Sequence, residues 1–367
     1  MKAKKVKKFT LVDKIVLGLN VVAALALLLG YLAPSTSPLD SSFIALLGFG
    51  FLILVPVNLV FILYWIIRKP ILLLLSVISI LAGYSVARSY YGLNSKHTIS
   101  DKASPDDIRI MHYNVRSFKG IDRYQDLFIQ KEIEDQVSTA QPDILNIVEF
   151  AKYKANRDSV AGELLDTMKA QKYYFQAFKA ARGDSIGNAI FSKYPIINSG
   201  SVGTADNVLN TKAVFVDVKY KDKTIRVYCI HLAAVELQQK QKNRYLKGKV
   251  GLGSVTPIFD KVSAAFVPRS YQVSQIKRHL EDCPYPYILT GDFNDTPNSY
   301  AVNELGDGLK NAFIEKGSGL QATYFSKFPL QIDYIFTSQQ FDILNYTTFN
   351  QKISDHKPVI SDLKLAR

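Results

Sequence analysis

The sequence predicts an α/β domain of mixed β-sheets covered by helices, preceded by an N-terminal bundle of three transmembrane helices. Three observations lead there. Long uncharged apolar segments fill the first 94 residues and then stop. From Ile108 onward, short runs rich in β-branched and aromatic residues alternate with amphipathic stretches, as strands and helices do. Two of those runs, 213–220 and 224–232, follow one another directly, which favours mixed sheets over a purely alternating parallel one.

The N-terminal segments are Ile15 to Ala33, Phe43 to Ile67 and Ile71 to Ala87, with 19, 25 and 17 residues free of charge. A helix crossing a bilayer needs ~20 apolar residues, ~17 at the short end. The first exceeds the apolar core of a signal peptide, and a signal peptide is not as a rule followed by two more such segments. Three spans is the better reading, with two spans plus a re-entrant third as the fallback. Lys2, Lys4, Lys5, Lys7, Lys8 and Lys14 precede the first span, Arg68 and Lys69 separate the second from the third, and Pro34 to Ser42 carries no Lys or Arg. Basic flanks stay in the cytoplasm. Three crossings then place everything beyond about Tyr90 outside the cytoplasm, in an integral membrane protein of the inner or plasma membrane, with the bilayer its partner through those helices. Arg88 falls on the side this rule disfavours.

The division is therefore 1–91 as membrane region, 92–105 as a polar linker and 106–367 as the α/β domain. Residues 1–94 hold nine Lys or Arg and two Asp, so the remainder carries 36 basic and 30 acidic side chains of a net charge of +13. About half of the basic excess thus belongs to membrane topology. What is left is a mild attraction for phosphate-bearing partners, not the charge of a strong nucleic-acid binder. Cys229 and Cys283 could pair in an oxidising compartment, but Cys229 lies inside an apolar strand and reads equally as a buried thiol. Strands are expected at "IRIMHYNV", "DILNIVEF", "YFQAFKA", "GNAIFSKY", "AVFVDVKY", "TIRVYCIHL", "YPYILTGDF", "QIDYIFTS" and "PVISDLKL". Helices are expected at Gln125 to Gln141, Val160 to Lys169 and Tyr271 to Glu281, with a helix and exposed basic loop over Glu236 to Pro257.

Chemistry gathers where these strands end. Asn114 closes "MHYN", Glu149 ends an otherwise apolar run, and His231 sits within "VYCIHL". Asp292 and Asn294 stand in "GDFND", Asp333 in "QIDYIF", and Asp355 and His356 in "ISDHKPV". Each alone has an ordinary explanation as a turn, a strand end or a core histidine. Together, the carboxylates would repel one another unless a cation neutralised them. Oxygen ligands from Glu149, Asp292, Asn294 and Asp355 suit a hard ion such as Mg²⁺, with Mn²⁺ a possible substitute. His231 and His356 remain for proton transfer and for the substrate's oxyanion, a set suited to phosphoester hydrolysis.

In order, "HYNVRSF", "ILNIVEF", "GNAIFSKYPI", "CIHL", "LTGDFNDTP", "IDYIF" and "SDHKPV" resemble the endonuclease/exonuclease/phosphatase superfamily, the deoxyribonuclease I-like fold, from about Ile108 to Leu365. The resemblance implies a four-layer α/β sandwich of two packed mixed sheets with helices outside. It implies Glu149 as principal metal ligand, assisted by Asn114 and Asp355. Asp292 would orient or deprotonate the attacking water, Asn294 would hold a phosphate oxygen, and His356, oriented by Asp333, would contact the scissile phosphate. His231 would stabilise developing charge or act as acid, and Asn188 would line the site and bind substrate. Two departures stand out: Val148 where the family has Gln, and Gln331 where it has Arg in "RIDYIF". Neither removes a residue of this set, so an active enzyme is expected.

The substrate is left open by a fold that hosts many activities. A nuclease, with "KQKNRYLKGK" (240–249) along a phosphate backbone, ranks slightly above a phosphodiesterase or phosphatase of lipid headgroups, for which a membrane tether makes sense. In the latter, "IFDKVSAAFV" (258–267) could dip into a bilayer or simply form a core element. A non-catalytic membrane binding protein ranks last, since the site residues are all present. No feature points to a protein partner.

Overall fold

The computed structural model describes residues 8–99, 102–120, 127–154, 159–203, 212–235, 256–325 and 330–366. The domain after residue 107 contains two sheets. Strands β2 (Ile108–Asn114), β3 (Ile144–Lys152), β4 (Lys172–Ala181), β5 (Asp184–Ser192), β13 (Phe341–Ile343) and β15 (Val359–Leu365) lie in the order β13-β15-β2-β3-β5-β4, with β14 (Thr347–Thr348) beside β15. Strands β6 (Ile196–Ser201), β7 (Ala213–Tyr220), β8 (Lys223–His231), β9 (Tyr287–Asp292), β10 (Lys310–Asn311) and β12 (Asp333–Thr337) form the other, ordered β10-β12-β9-β8-β7-β6. Each sheet holds one parallel pair, β2 with β3 and β8 with β9, among antiparallel neighbours. Both are mixed, as the sequence predicts.

The four layers follow from burial. Ile110, Ile144 and Ile190 of the first sheet pack against Val216, Val227 and Ile288 of the second. The outer face of the first is covered by α6 (Leu127–Ala140) and α7 (Ser159–Met168), through Ile133, Val137 and Leu164. The outer face of the second is covered by α8 (Thr256–Glu281) and α9 (Tyr300–Gly306), through Val273, Ile276 and Val302. Buried on both faces, the strands read as near-continuous apolar runs. Strand β6, with the pattern "IINSGS" and an exposed edge, carries too little apolar signal to be foreseen. The expected helix over 236–255 lies outside the described residues. Cys229 and Cys283 are both free thiols, Cys229 buried within β8.

The N-terminal region departs from the expected bundle of three long transmembrane helices. Two helical segments are long and apolar enough to cross a membrane, Leu11–Ser35 and Phe51–Arg68. The third expected span is a broken pair, Pro70–Ala82 and Tyr84–Tyr90, bent by 58°. The bend falls at Gly83, where a Cβ would come within 2.2 Å of the Tyr31 ring. The expected span 43–67 is also divided at Gly50, into α2 (Ser42–Phe49) and α3 (Phe51–Arg68). Uninterrupted runs hide such breaks because glycine adds no charge yet ends helices readily.

Three apolar helices, α1 (Leu11–Gly30), α3 and α4 (Leu73–Ala82), share buried polar groups. Asn20 Nδ2 donates to Ser76 Oγ (2.6 Å), Ser76 Oγ to Asn58 Oδ1 (2.9 Å) and Trp65 Nε1 to Asn20 Oδ1 (2.9 Å). At one end Arg68 pairs with Asp13 at 2.8 Å. In hydrocarbon such groups find partners only in one another. The connection at 92–105 is partly fixed: β1 (Tyr91–Leu93) pairs with β11 (Ser318–Leu320), and Lys102 reaches Asp143 at 2.8 Å.

Candidate active site

The site lies where both parallel pairs end. In the second sheet His231, Asp292 and Asp333 occupy one register row, as the last residues of β8 and β9 and the first of β12. Residues aligned in register point to one face, so the pairing alone lines up an imidazole and two carboxylates. The first sheet supplies Asn114, the last residue of β2, whose Nδ2 crosses between the sheets to Asp292 Oδ2 (3.0 Å). The other Asp292 oxygen accepts the backbone N–H of Asn294 (2.8 Å). Asn294 makes that turn in the left-handed region, φ 51°, which asparagine tolerates better than most residues.

His356 completes the cluster from the loop before β15. Its Nδ1 is 2.9 Å from Asp333 Oδ2, and its Nε2 is 3.7 Å from Asp292 Oδ2. Tyr324 packs edge-on to its ring, with centroids 5.0 Å apart. His231 Nε2 lies 3.8 Å from the same Asp292 oxygen. Burial opposes charge on His356, but the carboxylates of Asp333 and Asp292 outweigh it and push the imidazole up to about 10. Burial likewise opposes charge on Asp333, yet His356 and His112 hold its carboxyl well below the usual range. Asp292 is raised to about 7, chiefly by burial. Burial and nearby Lys212 depress His231 to about 3, so it is a neutral imidazole. Thus the row holds one imidazolium-carboxylate pair, one neutral histidine and one carboxyl poised near neutrality.

Sequence reasoning missed His112. Its Nε2 approaches Asp333 Oδ1 at 3.3 Å, so Asp333 lies between two imidazoles. The signal was available: positions 112 and 114 of one strand share a face. Ser354, also unforeseen, donates from Oγ to the Asn114 carbonyl (2.8 Å) and anchors the His356 loop.

The remaining expected residues divide. Glu149 sits in β3 at a register shift against β5, with φ 54°, beside the Asn114–Val148 pair of β2 and β3. Among the described residues its half-buried carboxylate has no hydrogen bond or ion pair. Asp355 Oδ2 lies 3.2 Å from Arg116 Nε. Asn294 donates from its side chain to the Leu232 carbonyl (3.0 Å). Asn188 donates to the carbonyls of Lys212 (2.6 Å) and Cys229 (3.4 Å), bracing the strand that ends in His231. Asp292, Asp333 and His356 offer ligand atoms all within 4.8 Å of one another.

Residues 111–356 match the Endonuclease/Exonuclease/phosphatase family. The chain belongs to that family, whose members hydrolyse phosphoesters. Residues 13–90 match a separate family described as Domain of unknown function (DUF8431). No curated protein matches the sequence. Among solved structures, the chain is similar to an endonuclease/exonuclease/phosphatase from Beutenbergia cavernae DSM 12333, at 18% identity and TM-score 0.53, over 71% of this chain and 72% of that one. It is similar to the human Nocturnin catalytic domain with bound sulfate anion, at 17% identity and TM-score 0.52, over 72% and 96%. It also resembles the endonuclease/exonuclease/phosphatase from Bacteroides vulgatus, at 17% identity and TM-score 0.51, over 71% and 99%. At these identities the likeness shows the fold.

Proposed function

We propose that the chain is a membrane-anchored, divalent-metal-dependent phosphoester hydrolase working outside the cytoplasm. The observation that carries this is the buried row His231, Asp292, Asp333 and His356, met from the other sheet by Asn114. Asp292, fixed through both oxygens by N–H donors, takes a proton from the attacking water. The His356 imidazolium, held by Asp333, donates to the phosphate oxygens and stabilises charge as it grows. Neutral His231, across the same carboxylate, stabilises the leaving oxygen through an N–H hydrogen bond as charge develops there. Asn294 supplies a phosphate contact through its amide, and Asn188 supports the substrate side of the site.

The donor set fits a hard cation. Among the described residues Glu149 keeps its carboxylate without a hydrogen bond or ion pair beside Asn114, a state that suits a metal ligand. Glu149, Asn114 and Asp355 would hold Mg²⁺, or Mn²⁺ in its place, which when bound neutralises phosphate charge. Mn²⁺ binding followed by electron paramagnetic resonance tests this without turnover. Glu149→Gln is expected to abolish the bound-ion signal, and an unchanged isotherm would remove Glu149 from the ligand set.

Anchoring is supported by the relative heights of the helix ends. Arg68 pairs with Asp13, whereas Tyr90 stacks on Phe51 with ring centroids 4.8 Å apart. Residues 70–90 therefore climb back over the length of α3, ~26 Å at 1.5 Å per residue, despite their bend. That is three passages, with the catalytic domain on the side opposite the lysine-rich start. Of the substrate signals, the basic run 240–249 lies outside the described residues. Val262 and Phe266 of the 258–267 stretch pack against Ala45 of α2 and are not free to enter a bilayer.

A further inference from the structure

The catalytic rim is joined to the membrane helices at two separate places. The first is the loop after Asp292 and Asn294. Asn298, fully buried, donates from Nδ2 to the carbonyls of Gly30 (3.0 Å) and Gly48 (3.4 Å), at the end of α1 and within α2. Gly48 has no room for a side chain there: a Cβ would come within 2.8 Å of the Asn298 carbonyl oxygen and 2.3 Å of Ala33 Cβ. Arg269, itself buried, pairs with Asp295 and donates to the Ala233 carbonyl (2.8 Å). It thereby fastens this loop to the one leaving His231, whose Val235 rests on α2.

The second join lies on the His356 side. Just beyond the last apolar helix, β1 pairs with β11, and Asn94 donates to the Gly317 carbonyl (3.1 Å). The chain then runs on to β14, where Thr347 donates to the His97 carbonyl (2.9 Å). Lys96, His97 and Lys357 line one cavity of about 370 Å³, and among the described residues no acidic side chain lines it. Lys357 adjoins His356 in the chain, and Lys96 is six residues past Tyr90. A cationic hollow thus lies beside the chain as it leaves the membrane helices.

These joins fix the height of the site. Asp292 precedes Asn298 by six residues, so it lies within ~20 Å of the outer ends of the helices, at most. A flexibly tethered nuclease needs no double clamp onto the helices that anchor it. We infer that the substrate is a phosphoester of the bilayer's own headgroup layer, a phospholipid presented to the site by the membrane that anchors it; this rests on the phosphoesterase reading above. In the reaction the oxygen of water bonds to the headgroup phosphorus as one P–O ester bond breaks, and the departing alcohol oxygen takes a proton. Nothing is oxidised or reduced.

The test uses the full chain in vesicles of phosphatidylethanolamine and phosphatidylglycerol with Mg²⁺, assaying released phosphorus species. Plasmid DNA and the soluble diester bis(p-nitrophenyl) phosphate are offered in parallel. The expected result is turnover of vesicle lipid at roughly tenfold or more the rate of plasmid cleavage per phosphorus, a scale that confinement to one surface readily supplies. If plasmid or the soluble diester is hydrolysed while lipid is untouched, the lipid inference is overturned and the phosphoesterase reading stands. If nothing is hydrolysed, both fall. Asn298→Ala is expected to keep the soluble-diester rate within about twofold while slowing lipid turnover about tenfold. Equal lipid rates in variant and parent would overturn the role of the clamp.

Discussion

At the scale of single residues, the division of labour rests on hydrogen-bond partners. Asp292→Asn removes the proposed proton acceptor but leaves the bonding shape, so kcat is expected to fall by ~10²–10⁴ with little change in KM. His112→Phe is a subtler change: it removes one of two imidazoles flanking Asp333 without touching His356. A positioning role predicts a pH–rate profile displaced from the parent's, and an unshifted profile would leave His112 a packing residue. Asp292, Asn294, Asp333 and His356 were legible in the sequence because few folds need amides, carboxylates and imidazoles at so many strand ends. His112 was overlooked: alone it reads as a packing histidine, and only its sharing a strand face with Asn114 marked it. Glu149 was legible only as a carboxylate ending an apolar run. Its left-handed backbone at a register shift, which turns it beside Asn114, is a property of the paired strands.

At the scale of elements, periodicity was readable where one face is buried and weak elsewhere. The strands of both sheet centres and the helices α6 and α7 fall within a few residues of their expected bounds. The 26-residue α8 was recognised only over its last turns. Pro268 sits inside it, and its earlier apolar residues pack on α2, a contact no local pattern announces. Phe266→Ala at that contact is expected to cost roughly 3 kcal/mol, measured as unfolding of the detergent-solubilised chain. A second prediction concerns α6 and α7. Burial, then Glu163, raises the Glu134 carboxyl to about 7 from an ordinary 4.5, while Lys131, 3.8 Å away, opposes the shift and Asp135 adds to it. A raised carboxyl means the folded state holds a proton the unfolded chain has released, so stability is lost as pH climbs from about 4.5 through about 7. Glu134→Gln should therefore raise the melting temperature at pH 8 more than at pH 4.5; equal shifts at both would contradict the pairing.

At the scale of the whole molecule, charge and hydropathy placed a membrane region before a hydrolase-like domain, and the fold family confirms the latter. They could not show that the two are packed together, because the joining groups are backbone carbonyls, two asparagines, a short strand pair and a few apolar side chains with no distinctive pattern. They also overstated the helices: a run free of charge looks the same whether straight or bent at Gly83. A reporter fused after Arg367 is expected to be active only outside the cytoplasm, and cytoplasmic activity would reduce the passages to an even number. The central claim is phosphoester hydrolysis by the buried row, and its most direct test is the Mg²⁺-dependent rate on bis(p-nitrophenyl) phosphate for parent and His356→Ala. The account predicts turnover by the parent, loss on chelation, and a variant rate lower by ~10² or more. A variant as fast as the parent, or a parent inactive with Mg²⁺ and Mn²⁺ alike on every phosphoester offered, would contradict it.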